Sequence, residues 1–169
     1  QAAASTTGLT VNAKAGEAYI EANGRYLYTG NKNIIHQGTM YIPLRPAAKA
    51  IGAHVTWNQA SFEAIVTKAG SFIENGSSYY NQDDLYWLSR IISAEAKGES
   101  LKGKIAVGNV IQNRVKSKQY PNTIKEVIFD RRFGVQFSPT ANGSIYDTPT
   151  EESIIAAKIC LEGYSMNAS

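Results

Sequence analysis

Asn81-Gln82-Asp83-Asp84-Leu85-Tyr86-Trp87-Leu88-Ser89-Arg90-Ile91-Ile92-Ser93-Ala94-Glu95-Ala96-Lys97-Gly98 is the stretch at which the chain changes from strand spacing to helix spacing. Leu85, Leu88, Ile91 and Ile92 keep to one helical face, and Gly98 is a natural stop. Downstream, Ser100 can cap a second helix carrying Ile105, Val107, Val110 and Ile111, and Gly103, Ala106 and Gly108 would let neighbours approach it closely. Pro121-Asn122-Thr123 opens a short third helix with Ile124, Val127 and Ile128, and residues 130–147 read as a loop or small hairpin rich in Gly, Pro and aromatics. A last helix is announced by Thr148 as cap, Pro149 at the first position, Glu151 completing a capping box, and Gly163 beyond the end.

Upstream the period is that of strands. Ala18 to Ala22 alternates into Asn23-Gly24, the pair suited to a tight hairpin, and Arg25 to Tyr28 returns from it. Gln37-Gly38 turns a second hairpin between Ile34-Ile35-His36 and Met40-Tyr41-Ile42, and Pro43 closes that strand. Leu44, Ala47, Ala48 and Ile51 hold helical spacing up to Gly52, and His54 to Trp57 with Phe62 to Thr67 forms a third hairpin. Ile73-Glu74-Asn75-Gly76 echoes Ile20 to Gly24 and suggests another hairpin turn, although one short match falls below a repeat. The fold class is therefore α+β: a small N-terminal sheet-plus-helix module over 17–80, then a mainly helical domain over 81–169.

The chain has 169 residues, 43% of them hydrophobic and 18% charged, enough apolar surface for a core and too little charge for a disordered tail. A net charge of +3, scattered along the chain, gives no nucleic-acid footprint. No apolar run suits a membrane span, and residues 1–16 lack a signal-peptide pattern. Cys160, the lone cysteine, sits in an apolar helical pattern as a small buried hydrophobe. His36, His54 and Cys160 have neither ligand nor triad spacing, so no metal, cofactor or Ser/Cys nucleophile is expected.

At about 100° per residue from Leu85, Leu88 falls at roughly 300°, Ile92 at 340°, Ile91 at 240° and Glu95 at 280°. This puts Glu95 inside the apolar stripe, where loss of water would raise its pKa and suit it to general acid work. The structural alternatives are a surface Glu at a helix end, or a buried one paired with Arg90 or Arg114. Glu99 is either a second carboxylate or a solvated one. Asp83 and Asp84 are explained by the helix dipole, and Asp147 by a turn. Gln136 beside Phe137 offers a polar amide next to an aromatic ring, a pattern suited to a sugar contact, with Phe137 as a cover on the core the alternative. With Glu99, and with Tyr146 from the same loop, they make up the substrate-contact candidates.

The helical half resembles the catalytic domain of the spore-cortex-lytic cell wall hydrolases. The resemblance rests on residues 88–99 (Leu88 to Glu99), 106–115 (Ala106 to Val115), Tyr120-Pro121-Asn122-Thr123-Ile124 and Gln136-Phe137-Ser138-Pro139. It implies a lysozyme-like fold, similar to goose-type lysozymes and lytic transglycosylases. It also implies that Glu95 is the catalytic acid and that the substrate is the peptidoglycan glycan strand. The strand half looks like the copper amine oxidase N-terminal-like domain, matched at Gly38 to Arg45, Ala50 to Trp57 and Ala64 to Thr67. That likeness implies a stalk or wall-binding role without copper. Together the two imply an exported protein of the cell wall or spore cortex, Gln1 following a removed signal peptide. Family catalytic domains continue past Tyr164 with a segment that helps to wall the cleft, whereas this sequence ends at Ser169.

The expected activity is cleavage of the MurNAc-GlcNAc strand by a single Glu acid/base that forms 1,6-anhydro ends, because no convincing second carboxylate is visible. A hydrolytic muramidase using Glu99 or Asp147, and a non-catalytic wall-binding or assembly protein, are the alternatives.

Overall fold

Asn23 and Gly24 both have positive φ, 51° and 77°, the backbone that a two-residue hairpin turn of the primed type needs. Asn23 also works as a junction: its Oδ1 accepts from the Thr10 amide, and its Nδ2 donates to the carbonyls of Gly8 and Ile73. The turn joins β3 (Tyr19–Ala22) to β4 (Arg25–Tyr28) in a four-stranded antiparallel sheet that begins with β1 (Ala2–Thr6) and β2 (Leu9–Ala13). The sheet thus starts upstream of residue 17, its edge strand an Ala, Ser and Thr run with no alternation to betray it.

Two further hairpins, β5 (Ile34–His36) with β6 (Thr39–Tyr41) and β7 (Ala53–Asn58) with β8 (Glu63–Lys68), flank α1 (Leu44–Ala50). At Gly52, φ is +70° and a Cβ would lie 1.9 Å from the Ser71 carbonyl oxygen, so only glycine fits. The core of this unit is Leu9, Ala13, Ile20, Ala22, Leu27, Ala50 and Ile73. The echo at Ile73 to Gly76 does not turn a hairpin: Asn75 accepts from the Ser77 amide and starts the single-turn helix α2 (Gly76–Tyr79).

The computed structural model describes residues 1–166, so the end of the expected 81–169 domain lies outside the described residues. It divides into one unit, Gln1–Tyr79, and a second that starts at Tyr80. The second unit is helical: α3 (Gln82–Ala96), α4 (Leu101–Lys116), α5 (Ile124–Ile128), α6 (Pro139–Asn142), a 3-10 turn (Ser144–Tyr146) and α7 (Glu151–Leu161). Asn81, Ser100, Thr123 and Thr150 cap their helices through the side chain. The last helix therefore starts two residues later than Thr148 and Pro149 suggest, because the Thr150 hydroxyl serves Ser153 while the Thr150 amide donates to Ser93 Oγ on α3.

α3 packs against α4, α5, α6, α7 and the 3-10 turn, which makes it the central helix of this unit. Its approach to α4 and α7 is set at Gly108, where a Cβ would meet Cys160 Sγ at 2.5 Å and Ile92 Cδ1 at 3.0 Å. Cys160 is fully buried and its thiol is pushed up to about 12 by loss of water. The loop after α5 is fastened by Asp130, which takes the Nε and Nη2 of Arg132, while Nη2 also reaches the Gln119 carbonyl. These bonds from Arg132, with the nearby Arg114 charge, hold the Asp130 carboxyl below the ordinary Asp range.

Two outcomes follow from this packing. Gly108→Ala should cost about 1–3 kcal/mol by overpacking, and Cys160→Ala in the same chain should recover part of it, both read from thermal melts. A carboxyl whose pKa is lower in the folded state adds stability above its unfolded value and loses it as pH falls through the folded one. Asp84 has the opposite sign, since partial burial and then Asp83 raise it. Denaturant titrations of the parent should therefore show Asp130's contribution present at neutral pH and fading below about pH 4, and Asp130→Asn should lower stability at neutral pH and flatten that acid limb.

Candidate active site

Trp87, Ile91 and Glu95 are spaced i, i+4, i+8 and so form one row along α3, about 12 Å from end to end. Trp87 and Ile91 are buried, whereas Glu95, in the last turn, is exposed. The expectation of a buried Glu95 is thus corrected. Its angle around the helix matches the stripe, but the elements that cover Leu88, Ile91 and Ile92 do not close over residue 95, and the desolvation expected from the sequence is missing. It is likewise unpaired with Arg90 or Arg114: among the described residues, neither a hydrogen bond nor an ion pair engages its carboxylate.

Glu99 lies beyond the end of α3, in the turn before Ser100, and is exposed. Its side chain lies against Gly103, where an added Cβ would sit 2.9 Å from Glu99 Cβ and 3.3 Å from Oε2. Two exposed carboxylates therefore stand four residues apart, one in the last helical turn and one in the turn that follows.

The loop candidates behave differently from one another. Gln136 spends its amide nitrogen on its own loop, donating to the carbonyls of Phe133 and Gly134. Phe137 is only 9% exposed, and the Arg114 guanidinium lies 5.1 Å from its ring and 5.1 Å from that of Tyr120. Of the two roles open to Phe137, a sugar contact or a cover on the core, its burial fits the second: the ring is packed, and one face is turned to Arg114. Tyr146 is 61% exposed, with its ring edge-on to Trp87 at 6.2 Å. The α6 segment after Phe137 and the turn bearing Tyr146 both pack on α3, the helix that carries Glu95.

One group escaped the sequence reading. Trp87 is ringed by Tyr86 at 4.9 Å, Phe129 at 5.2 Å and Tyr146, while its indole donates to Asp83 and the Lys125 ammonium lies 5.2 Å from the ring. Tyr86, 43% exposed, also carries the Arg90 guanidinium 3.7 Å from its ring centre. The signal was available, since Trp87 precedes Glu95 by eight residues and shares its row. A separate groove of about 520 Å³, lined by Asn81, Asp83, Asp84, Gln112, Lys116 and Lys125 among others, lies at the far end of α3 and includes none of the candidates.

Comparison with known proteins places these halves. Residues 98–169 match the Cell Wall Hydrolase family, a match that begins three residues after Glu95, and residues 3–84 match the copper amine oxidase N-terminal domain. A spore cortex-lytic enzyme of Bacillus cereus is 37% identical over 95 residues, which cover 56% of this chain and 34% of that protein. One from Halalkalibacterium halodurans is 34% identical over 101 residues, covering 60% and 28%. The chain thus spans about a third of the length of the curated relatives it matches. Among solved structures, the catalytic domain of the germination-specific lytic transglycosylase SleB from Bacillus anthracis is 35% identical, with a TM-score of 0.47, covering 57% of this chain and 74% of that one. The chain is thus similar to the copper amine oxidase N-terminal domain over residues 3–84 and to the Cell Wall Hydrolase family over residues 98–169.

Proposed function

We propose that the helical unit cleaves the MurNAc-GlcNAc glycan strand of peptidoglycan as a lytic transglycosylase, with Glu95 as its only acid and base. The observation that carries the reading is the placement of Glu95: an exposed carboxylate, unpaired among the described residues, in the last turn of a helix whose middle is buried, in line with an aromatic cluster. The names of the relatives support the same class of substrate, the spore cortex. The N-terminal domain then serves as the wall-associated stalk of an exported protein.

In this mechanism Glu95, in its acid form, gives its proton to the glycosidic oxygen as the bond to C1 of the muramoyl sugar breaks. The carboxylate so formed takes the proton of that sugar's C6 hydroxyl, whose oxygen closes on C1. The ring closure consumes no water and returns Glu95 to its acid form. A seated glycan would supply the cover over Glu95 that the α3 stripe lacks and keep bulk water from the reacting bond. Tyr146 and Tyr86 offer ring faces for sugars bound further along the row.

Hydrolysis is the second reading, and it draws support from one observation, the exposure of Glu99 just beyond Glu95. Mass spectra of the products separate the two, because transglycosylation leaves anhydro ends and hydrolysis leaves reducing ends.

Glu95→Gln keeps the side-chain volume but cannot donate the proton, so clearance of a peptidoglycan suspension should fall by about 10²–10⁴ while circular dichroism stays parental. A folded variant that clears at the parental rate removes Glu95 from the mechanism. Tyr146→Ala should weaken substrate binding, seen as a higher KM, with a stability change within about 1 kcal/mol because the ring is mostly solvated.

A further inference from the structure

Lys104 is the most deeply buried charged residue described in the helical unit, 2% exposed, and the mechanism above makes no use of it. A lysine taken out of water needs partners, and this one has two. Its Nζ donates to Glu152 Oε2 at 2.7 Å, in the first turn of α7, and to the main-chain carbonyl of Glu99. The second bond stands out, because Glu99 closes the turn that ends the Glu95 helix: its amide donates to the Ala96 carbonyl at 3.0 Å. Glu99 is also seated on α4 by the gap at Gly103, and Ser100 caps the same helix. On another side of α3, Ser93 Oγ accepts from the Thr150 amide at 3.2 Å and ties the last two turns to the start of α7.

Terminal helical turns fray unless something outside the helix holds them. Glu95 occupies such a turn, with its own carboxylate tied to nothing among the described residues. We propose that Lys104 is a positioning residue for Glu95: by pinning the Glu99 carbonyl to α4 it fixes the end of α3 and hence the place of the carboxylate. Glu152 neutralises the buried ammonium from the solvent side, its own side chain being 49% exposed. The bond that positions the acid is the one to Glu99. The inference rests on the reading of Glu95 as the acid, and its test keeps the two apart.

The experiment measures kcat and KM on soluble glycan fragments of peptidoglycan, per folded molecule, alongside hydrogen exchange at the Glu99 amide. Lys104→Met should speed exchange at Glu99 and lower kcat by about 10- to 100-fold, the cost of misplacing a catalytic group, with KM nearly unchanged. Glu152→Gln leaves the bond to Glu99 in place and should keep kcat near the parental value even where the melting temperature falls. Gly103→Ala supplies a variant that spares the buried pair. Its Cβ would lie 2.9 Å from Glu99 Cβ and must displace that residue, so kcat per folded molecule should drop by about 10-fold or more whatever the melting temperature does.

Parental exchange at Glu99 in Lys104→Met overturns the clamp, and faster exchange with parental kcat overturns its role in positioning. If Lys104→Met does not fold, Gly103→Ala decides, and a parental kcat there overturns the proposal. Retained activity in Glu95→Gln would instead overturn the acid assignment, while exchange at Glu99 would still report on the clamp.

Discussion

At Gly108 the missing side chain lets Cys160 of α7 and Ile92 of α3 come within a distance that any Cβ would forbid. Everything else in the helical unit is arranged around that close approach. It lets α3 be enclosed by α4 and α7 together, which leaves its other flank for α5, α6 and the turn bearing Tyr146. A helix enclosed in this way has few places at which a polar side chain can reach solvent, and the last turn is one of them. The exposure of Glu95 is therefore a consequence of where the enclosing elements stop.

The same geometry separates what could be read in the sequence from what could not. The caps at Ser100 and Thr123 and the turns at Asn23-Gly24 and Gln37-Gly38 depend on local chemistry, and a few adjacent residues specify them. Periodicity placed Glu95 at the right angle on α3, but an angle carries no information about how far the neighbouring helices extend along the axis. The start of α7 was misplaced for a similar reason: Thr148-Pro149 is a sound local signal, and a contact from Ser93, more than fifty residues away, moves the cap to Thr150. The sequence around Phe137 suits a sugar contact and a core cover equally, and the choice is made by tertiary packing, which leaves the ring 9% exposed with Arg114 of α4 over one face. Nothing in the sequence marks Lys104 apart from the other lysines of its helix, since burial of a charge is decided by the partners that tertiary folding brings to it.

The two units use their hydrophobic residues in opposite ways. In the helical unit the isoleucines of α3 and α4 named in the sequence reading are buried, and most of the exposed large side chains are aromatic. In the strand unit the sheet and α1 hold the core, whereas the hairpins β5 to β6 and β7 to β8 carry Ile34, Ile35, Trp57, Ile65 and Val66 on the outside. β-branched and aromatic residues suit a pleated backbone whether or not anything covers them, so strand spacing alone marked these hairpins without telling which faces would be packed.

Cys160 carries a practical consequence. It is the chain's sole cysteine, wholly enclosed, and burial pushes its thiol up to about 12, far above neutral pH. Thiol-directed reagents attack the thiolate, so the native chain presents them with almost no target. Two cysteines introduced at solvent-facing positions, one at the end of α3 and one at the end of α4, would thus take up spectroscopic probes without background from Cys160, and the distance between those ends could be followed in the intact protein.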